Sequence, residues 1–165
     1  MSIAAILLAL AAPNFSAMLQ RQAVASNVES FLADLKLART EAIKRGVPVE
    51  LCPVDSPVTT PPTCMSEADA GAEDWAAEGW MVIDANGTVI KRHQIGMGVG
   101  RISFNPATGQ KSFLFTPNGI IAGAGFGSDL LITARDSSQT AAQQITCVNT
   151  TGRARVIKGA STCTD

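Results

Sequence analysis

Two arginines two positions apart, Arg153 and Arg155, are the residues whose type and spacing point most directly to chemistry. A guanidinium is a planar fork of N–H donors that matches phosphate oxygens and stays charged at physiological pH. If residues 144–148 and 153–157 pair as a hairpin around 149–152, strand alternation sends both guanidiniums to one side and Ala154 and Val156 to the other. The apolar pair can then face a core while the cations project together, about 7 Å apart at a rise of ~3.3 Å per residue. Gly152 closes the turn, and Lys158 lies just beyond. Lys91, Arg92, Arg101 and Lys111 could extend the same basic surface. Phosphate contacts ignore base sequence and weaken steeply with salt, so a few cations imply binding on the order of micromolar or poorer at physiological salt. The same arginines could instead form a solvated strand face that pairs with acidic neighbours, the usual fate of a charge cluster.

Such neighbours exist. Residues 50–90 hold eight acidic side chains and no Lys or Arg, whereas residues 91–165 hold eight basic against three acidic. The whole chain carries a net charge of -1, which excludes bulk attraction to nucleic acid or to an acidic membrane. The segregation fits either an oriented surface with an anionic partner or adjoining faces that neutralise each other.

Cysteine chemistry points to crosslinks rather than to a metal. Cys52, Cys64, Cys147 and Cys163 contain no CxxC pair, and His93 is the one histidine, so zinc and other metal or cofactor sites are not expected. Three disulfide connectivities are open; local pairing, Cys52 with Cys64 and Cys147 with Cys163, is favoured and implies an oxidising compartment. No catalytic set emerges, and an enzyme is not expected. His93 lacks triad partners and reads as a surface histidine at a strand end. Glu73, Asp74 and Glu78 surround Trp75 without a second carboxylate cluster. The glycines of 96–100 and 123–127 do not complete GxGxxG and read as turns or mobile loops. Trp75 and Trp80 read as packing residues, although an exposed Trp75 could stack on a base.

The elements that must position these groups fall into two textures. Ile3 to Ala12 reads IAAILLALAA, ten uncharged residues, half of the ~20 that span a bilayer. Pro13 interrupts, and Asn14 can cap the helix beyond it. From there to Arg45, Phe15, Met18, Leu19, Val24, Val28, Phe31, Leu32, Leu35, Ala38 and Ala42 recur at three- and four-residue steps. Arg21, Glu29, Lys36 and Arg39 mostly fall off that stripe, so the spacing predicts one amphipathic helix kinked at Pro13 and ended by Gly46 and Pro48. After Gly46 the chain turns to short strands, with a hairpin signal at Asp84-Ala85-Asn86-Gly87 and turns at Thr116-Pro117-Asn118-Gly119 and Asn149-Thr150-Thr151-Gly152. The organisation is a fully apolar helix start (1–12), an amphipathic helix (13–46) and a β-rich head (47–165), an α+β fold.

In that order, several segments resemble the FimT/GspH group of type IV pilin-like minor pseudopilins. They are Ala11-Ala12-Pro13-Asn14-Phe15, the helix end Leu37-Ala38-Arg39-Thr40-Glu41-Ala42-Ile43-Lys44-Arg45-Gly46, Val49-Glu50-Leu51-Cys52, Glu78-Gly79-Trp80-Met81-Val82, Phe115-Thr116-Pro117-Asn118-Gly119 and Gly152-Arg153-Ala154-Arg155. The resemblance implies a type IV pilin-like fold. It implies a single-pass protein of the bacterial inner membrane with a periplasmic head, which joins other pilins in a filament after prepilin processing. Family members carry a basic leader and then Gly-Phe-Thr-Leu-x-Glu before the apolar run. Here the chain starts inside the expected transmembrane helix, so neither cleavage site nor assembly glutamate falls on a residue. Some FimT-like members bind DNA for natural transformation through a C-terminal Gly-Arg-x-Arg motif, matched by Gly152, Arg153 and Arg155. GspH-like members instead occupy the tip of the type II secretion filament, a structural role without DNA binding.

Overall fold

The computed structural model describes residues 2–55, 62–65, 75–105, 112–122, 128–160 and 162–163, with the side chains of 2–14, 76, 77, 104, 105 and 128 left aside. One helix, α1 (Ser2–Arg45), is followed by β1 (Val49–Pro53), a single-turn α2 (Trp75–Glu78), β2 (Trp80–Asp84), β3 (Val89–His93) and β4 (Val99–Asn105). Then come β5 (Phe113–Phe115), β6 (Ser128–Ala134), a 3-10 turn at Thr140–Ala142, β7 (Gln144–Val148) and β8 (Ala154–Lys158). The strands form two antiparallel sheets, ordered β3-β2-β1-β5 and β4-β6-β7-β8.

The helix continues through Pro13 as one element, and Asn14 lies inside it, so no new helix starts there. A proline removes a single backbone donor, and α1 carries on past the one bond it lacks. Side chains 1–12, expected to sit in a membrane, are outside the described residues, and among the described residues no helix is long and apolar enough to cross one. Further on, the apolar stripe is used as its spacing demands: Val24, Val28, Phe31, Leu35, Ala38 and Ala42 are all buried against both sheets. Gly46 ends the helix at φ +67, its N–H bonding back to Ala42 O at 3.1 Å. That left-handed closing residue is where glycine avoids the Cβ penalty.

The helix end is tied to the first sheet. Arg45 Nη1 donates to Asp84 Oδ2 at 3.1 Å, and the other oxygen of Asp84 accepts the backbone N–H groups of Asn86 and Thr88, each at 2.9 Å. These bonds, that from Thr88 foremost, hold the Asp84 carboxyl below its usual range. The hairpin expected at Asp84–Gly87 thus doubles as a helix anchor.

Both disulfides close locally. Cys52 is bonded to Cys64 and Cys147 to Cys163, with Cα separations of 5.6 and 5.9 Å. Cys52 lies with Met81 and Val54 in a small cluster away from the helix. Cys147 alternates with Thr146 and Val148, so its bridge also lies on the outer face of its sheet. Each crosslink therefore covers a sheet face that the helix leaves open.

A polar seam runs between α1 and the first sheet. Asp34, 1% exposed, accepts from Trp80 Nε1 at 2.9 Å and pairs with Lys91 Nζ. His93 is half-buried there, stacked on Trp80 with ring centres 4.1 Å apart, and its Nε2 lies 3.2 Å from Asn27 Oδ1. The Asn27 amide nitrogen donates to Ala23 O, which leaves Oδ1 to accept, so His93 carries its proton on Nε2. This corrects the expectation of a surface histidine: β3 pairs with β2 at the helix contact, and Trp80 needs a flat cover. Burial lowers the His93 pKa from its ordinary 6.5, opposed by Asp34 and aided by Lys91. Below 6.5 the unfolded chain then binds the proton that folded His93 resists, so stability is complete above that pH and declines as pH falls through it. Urea unfolding at about pH 7.5 and 5.5 should show a loss under ~1 kcal/mol, screened by solvent, beyond that of His93→Gln. Equal pH slopes for the two proteins would refute this assignment.

Candidate nucleic-acid interface

The turn at residues 149–152 is built by one side chain. Asn149 Oδ1 accepts from Thr151 N at 3.2 Å, Thr151 Oγ1 at 2.8 Å and Arg153 N at 2.8 Å, while Asn149 N donates to Arg153 O at 3.0 Å. An asparagine bonding forward to its own backbone is a turn-forming device, and here it also sets where Arg153 leaves the turn. β8 then pairs with β7 in regular register, Val148 with Ala154 and Cys147 with Arg155. Ala154 and Val156 pack on the core, whereas Arg153 and Arg155 are exposed. Strand alternation turns Arg155 to the outer side of the sheet, and Arg153 is the last residue of the turn, one position before β8 begins rather than inside it as the spacing predicted.

Around Arg155 the outer face is shaped by its row partners Cys147 on β7 and Asp129 on β6. The Cys147–Cys163 bridge brings the tail after β8 back across this face beside Arg155. Asp129 O and the two sulfurs lie within 4.8 Å of one another, but sulfurs bonded to each other offer no thiolate to a metal.

The other expected cations are dispersed. Lys158 pairs with Gln144 at the far end of β8 and, three residues from Arg155, points to the opposite face. Lys91 is engaged by Asp34, and Arg92 lies 3.8 Å from Glu78, both on β3 of the other sheet. Arg101 shares the outer face but sits on β4, three strand spacings of ~4.8 Å away. It lines a shallow groove with Gly100, Thr133, Arg135, Asp136 and Gln143. Lys111, Glu73, Asp74 and the glycines of 123–127 lie outside the described residues. Trp75 is fully enclosed by Phe31, Trp80 and Phe113, so it offers no face to a base.

A second turn docks on the first. Residues 116–121 close through Gly119 N to Thr116 O at 2.8 Å and Thr116 N to Ile120 O at 2.9 Å, and Ile121 N donates to Thr150 O at 2.9 Å. Both turns meet the end of α1. At Gly119 (φ +74) a Cβ would fall 2.8 Å from Ile43 Cδ1 and 3.1 Å from Arg39 Nε, so either side chain would have to shift to admit it. Gly152 (φ +72) is confined likewise, its Cβ position lying 2.7 Å from Phe115 Cε1 and 3.6 Å from Arg39 Cδ. Sequence reading missed Arg39 as part of this corner. Its signal was a cation one position after buried Ala38, too generic on a helix to single out.

Comparison with known proteins agrees with this architecture. Residues 27–158 match the family model described as type II transport protein GspH. Two crystal structures of the type IV minor pilin FimU of Pseudomonas aeruginosa share the fold, with TM-scores of 0.59 and 0.54 at 15% identity. The alignments cover 87% and 84% of this chain and 97% and 98% of those chains. No curated protein matches the chain in sequence.

Proposed function

The chain belongs to the GspH family of minor pseudopilins, and from that membership we propose that it serves a type IV pilus, where it binds DNA without sequence preference during natural transformation. The observation that carries this reading is the Asn149-built turn, which fixes the backbone of Arg153 and leads into β8 with Arg153 and Arg155 both exposed while Ala154 and Val156 hold the strand down. Two guanidiniums on a rigid turn and strand suit backbone phosphates and read no bases. In this reading the helix anchors the protein in the inner membrane and packs with other pilins in the filament. The head lies in the oxidising periplasm, where its two disulfides persist.

The runner-up is a secretion-tip pseudopilin, favoured by the type II transport description of the matched family, whereas the structural neighbours are type IV pilins. The two readings part in one experiment. The full chain in detergent micelles, titrated against labelled duplex DNA, is expected to bind at micromolar levels at low salt, with an affinity that falls steeply as salt rises. Arg153→Ala with Arg155→Ala should weaken binding about a hundredfold, to below detection. Wild-type binding in the double variant would overturn the site. A wild-type chain that ignores DNA even at low salt would place the protein with the secretion tip.

A further inference from the structure

We infer that Arg39 of α1 is a third phosphate-binding cation, delivered to the Arg153 turn from the helix; this rests on the DNA-binding reading above. The corner is shaped around its side chain. Two glycines from separate turns, both at positive φ, border Arg39: a Cβ on Gly119 would crowd Nε at 3.1 Å, and the Cβ position of Gly152 lies in van der Waals range of Cδ at 3.6 Å. The hydrogen bond from Ile121 N to Thr150 O locks the turns to each other, so the gap between them is a fixed feature. Arg39 is half-buried in it, directly next to the residue that precedes Arg153.

Its charge is left over among the described residues. Arg45 and Lys44 of the same helix share Glu41, Arg45 also takes Asp84, Lys91 takes Asp34 and Arg92 lies by Glu78, whereas Arg39 makes no ion pair among the described residues. A guanidinium partly withdrawn from water without an anion is costly, and an incoming phosphate offsets that cost. The stem is constrained on two sides, so little side-chain entropy is lost on binding, unlike an arginine on an open strand. Ile43, one helical turn on from Arg39, lies against the same Gly119 position. Arg39 therefore widens the basic surface from one strand to a corner where helix and two turns meet.

The test uses the full chain in detergent micelles and a labelled duplex of about 30 base pairs. Arg39→Ala should bind about five- to tenfold more weakly at about 50 mM salt, with a log–log salt slope smaller by about 1; Arg39→Lys should keep the slope. The Arg39 Nε–H resonance should shift when DNA is added to the wild type. If Arg39→Ala binds with unchanged affinity and slope while the Arg153/Arg155 double variant does not, the inference fails and the DNA-binding reading stands. If the wild type binds no DNA, both fall. If Arg39→Ala cannot fold, the wild-type resonance decides, and an Nε–H signal unmoved by saturating DNA overturns the inference.

Discussion

Phe31→Ala is expected to lower the unfolding free energy by about 3–5 kcal/mol. Phe31 is fully buried on the helix stripe and meets three aromatic rings, each from a different element. It stands edge-on to Trp75 of α2 (6.2 Å between centres, 72°), Trp80 of β2 (5.8 Å, 85°) and Phe113 of β5 (5.6 Å, 60°). Such pairs add ~0.5–1.5 kcal/mol each beyond the area they bury, and truncation forfeits all three while opening a cavity. The neighbours cannot close in. Trp80 is pinned by its bond to Asp34 and by the stacked His93, and Phe113 is held in a three-residue strand against β1. Phe31→Leu fills most of the volume and should cost ~1–2 kcal/mol. Urea unfolding followed by tryptophan fluorescence reads both. A Phe31→Ala loss under ~1 kcal/mol would mean that the helix is held by something other than this cluster.

How much of this was legible in the chain depends on the range of each contact. The stripe from Val24 to Ala42 obeys a local period, so both the helix and its buried face follow from spacing. Ala154 and Val156 obey the two-residue period of a strand, and the exposure of Arg155 between them follows with it. The closures at Gly46 and at the Asp84 hairpin are also local signals. What a local period cannot carry is sheet order. Arg101 and Arg155 share a face, yet β6 and β7 stand between them, a separation set by pairings that no single segment encodes. The Asp34–Trp80–Lys91 seam joins residues 46 and 57 positions apart, so an isolated Asp on a helix gave no hint of its partners. Arg39 belongs to the same class: its role depends on two turns from distant parts of the chain closing over it.

Gly152→Val is expected to remove the turn and with it the DNA binding proposed above, with a stability loss of about 3–4 kcal/mol and no measurable DNA affinity. Two separate terms lead there. At φ +72 a β-branched side chain is strained, by ~1–2 kcal/mol for the left-handed backbone alone. A Cβ at this position lies 2.7 Å from a carbon of the Phe115 ring, which is fully buried on β5 and has no empty space to enter. Forcing extra methyl groups against such a ring costs a further ~1–3 kcal/mol. Gly152→Ala should show the same pattern at smaller size, about 2 kcal/mol, because it keeps the backbone strain and the first contact but not the branched methyls. The order Gly, Ala, Val in unfolding free energy checks the packing term, and parallel loss of DNA affinity checks its coupling to the arginines. If Gly152→Val folds with wild-type stability, the turn has another conformation open to it, and the rigid presentation of Arg153 loses its physical basis.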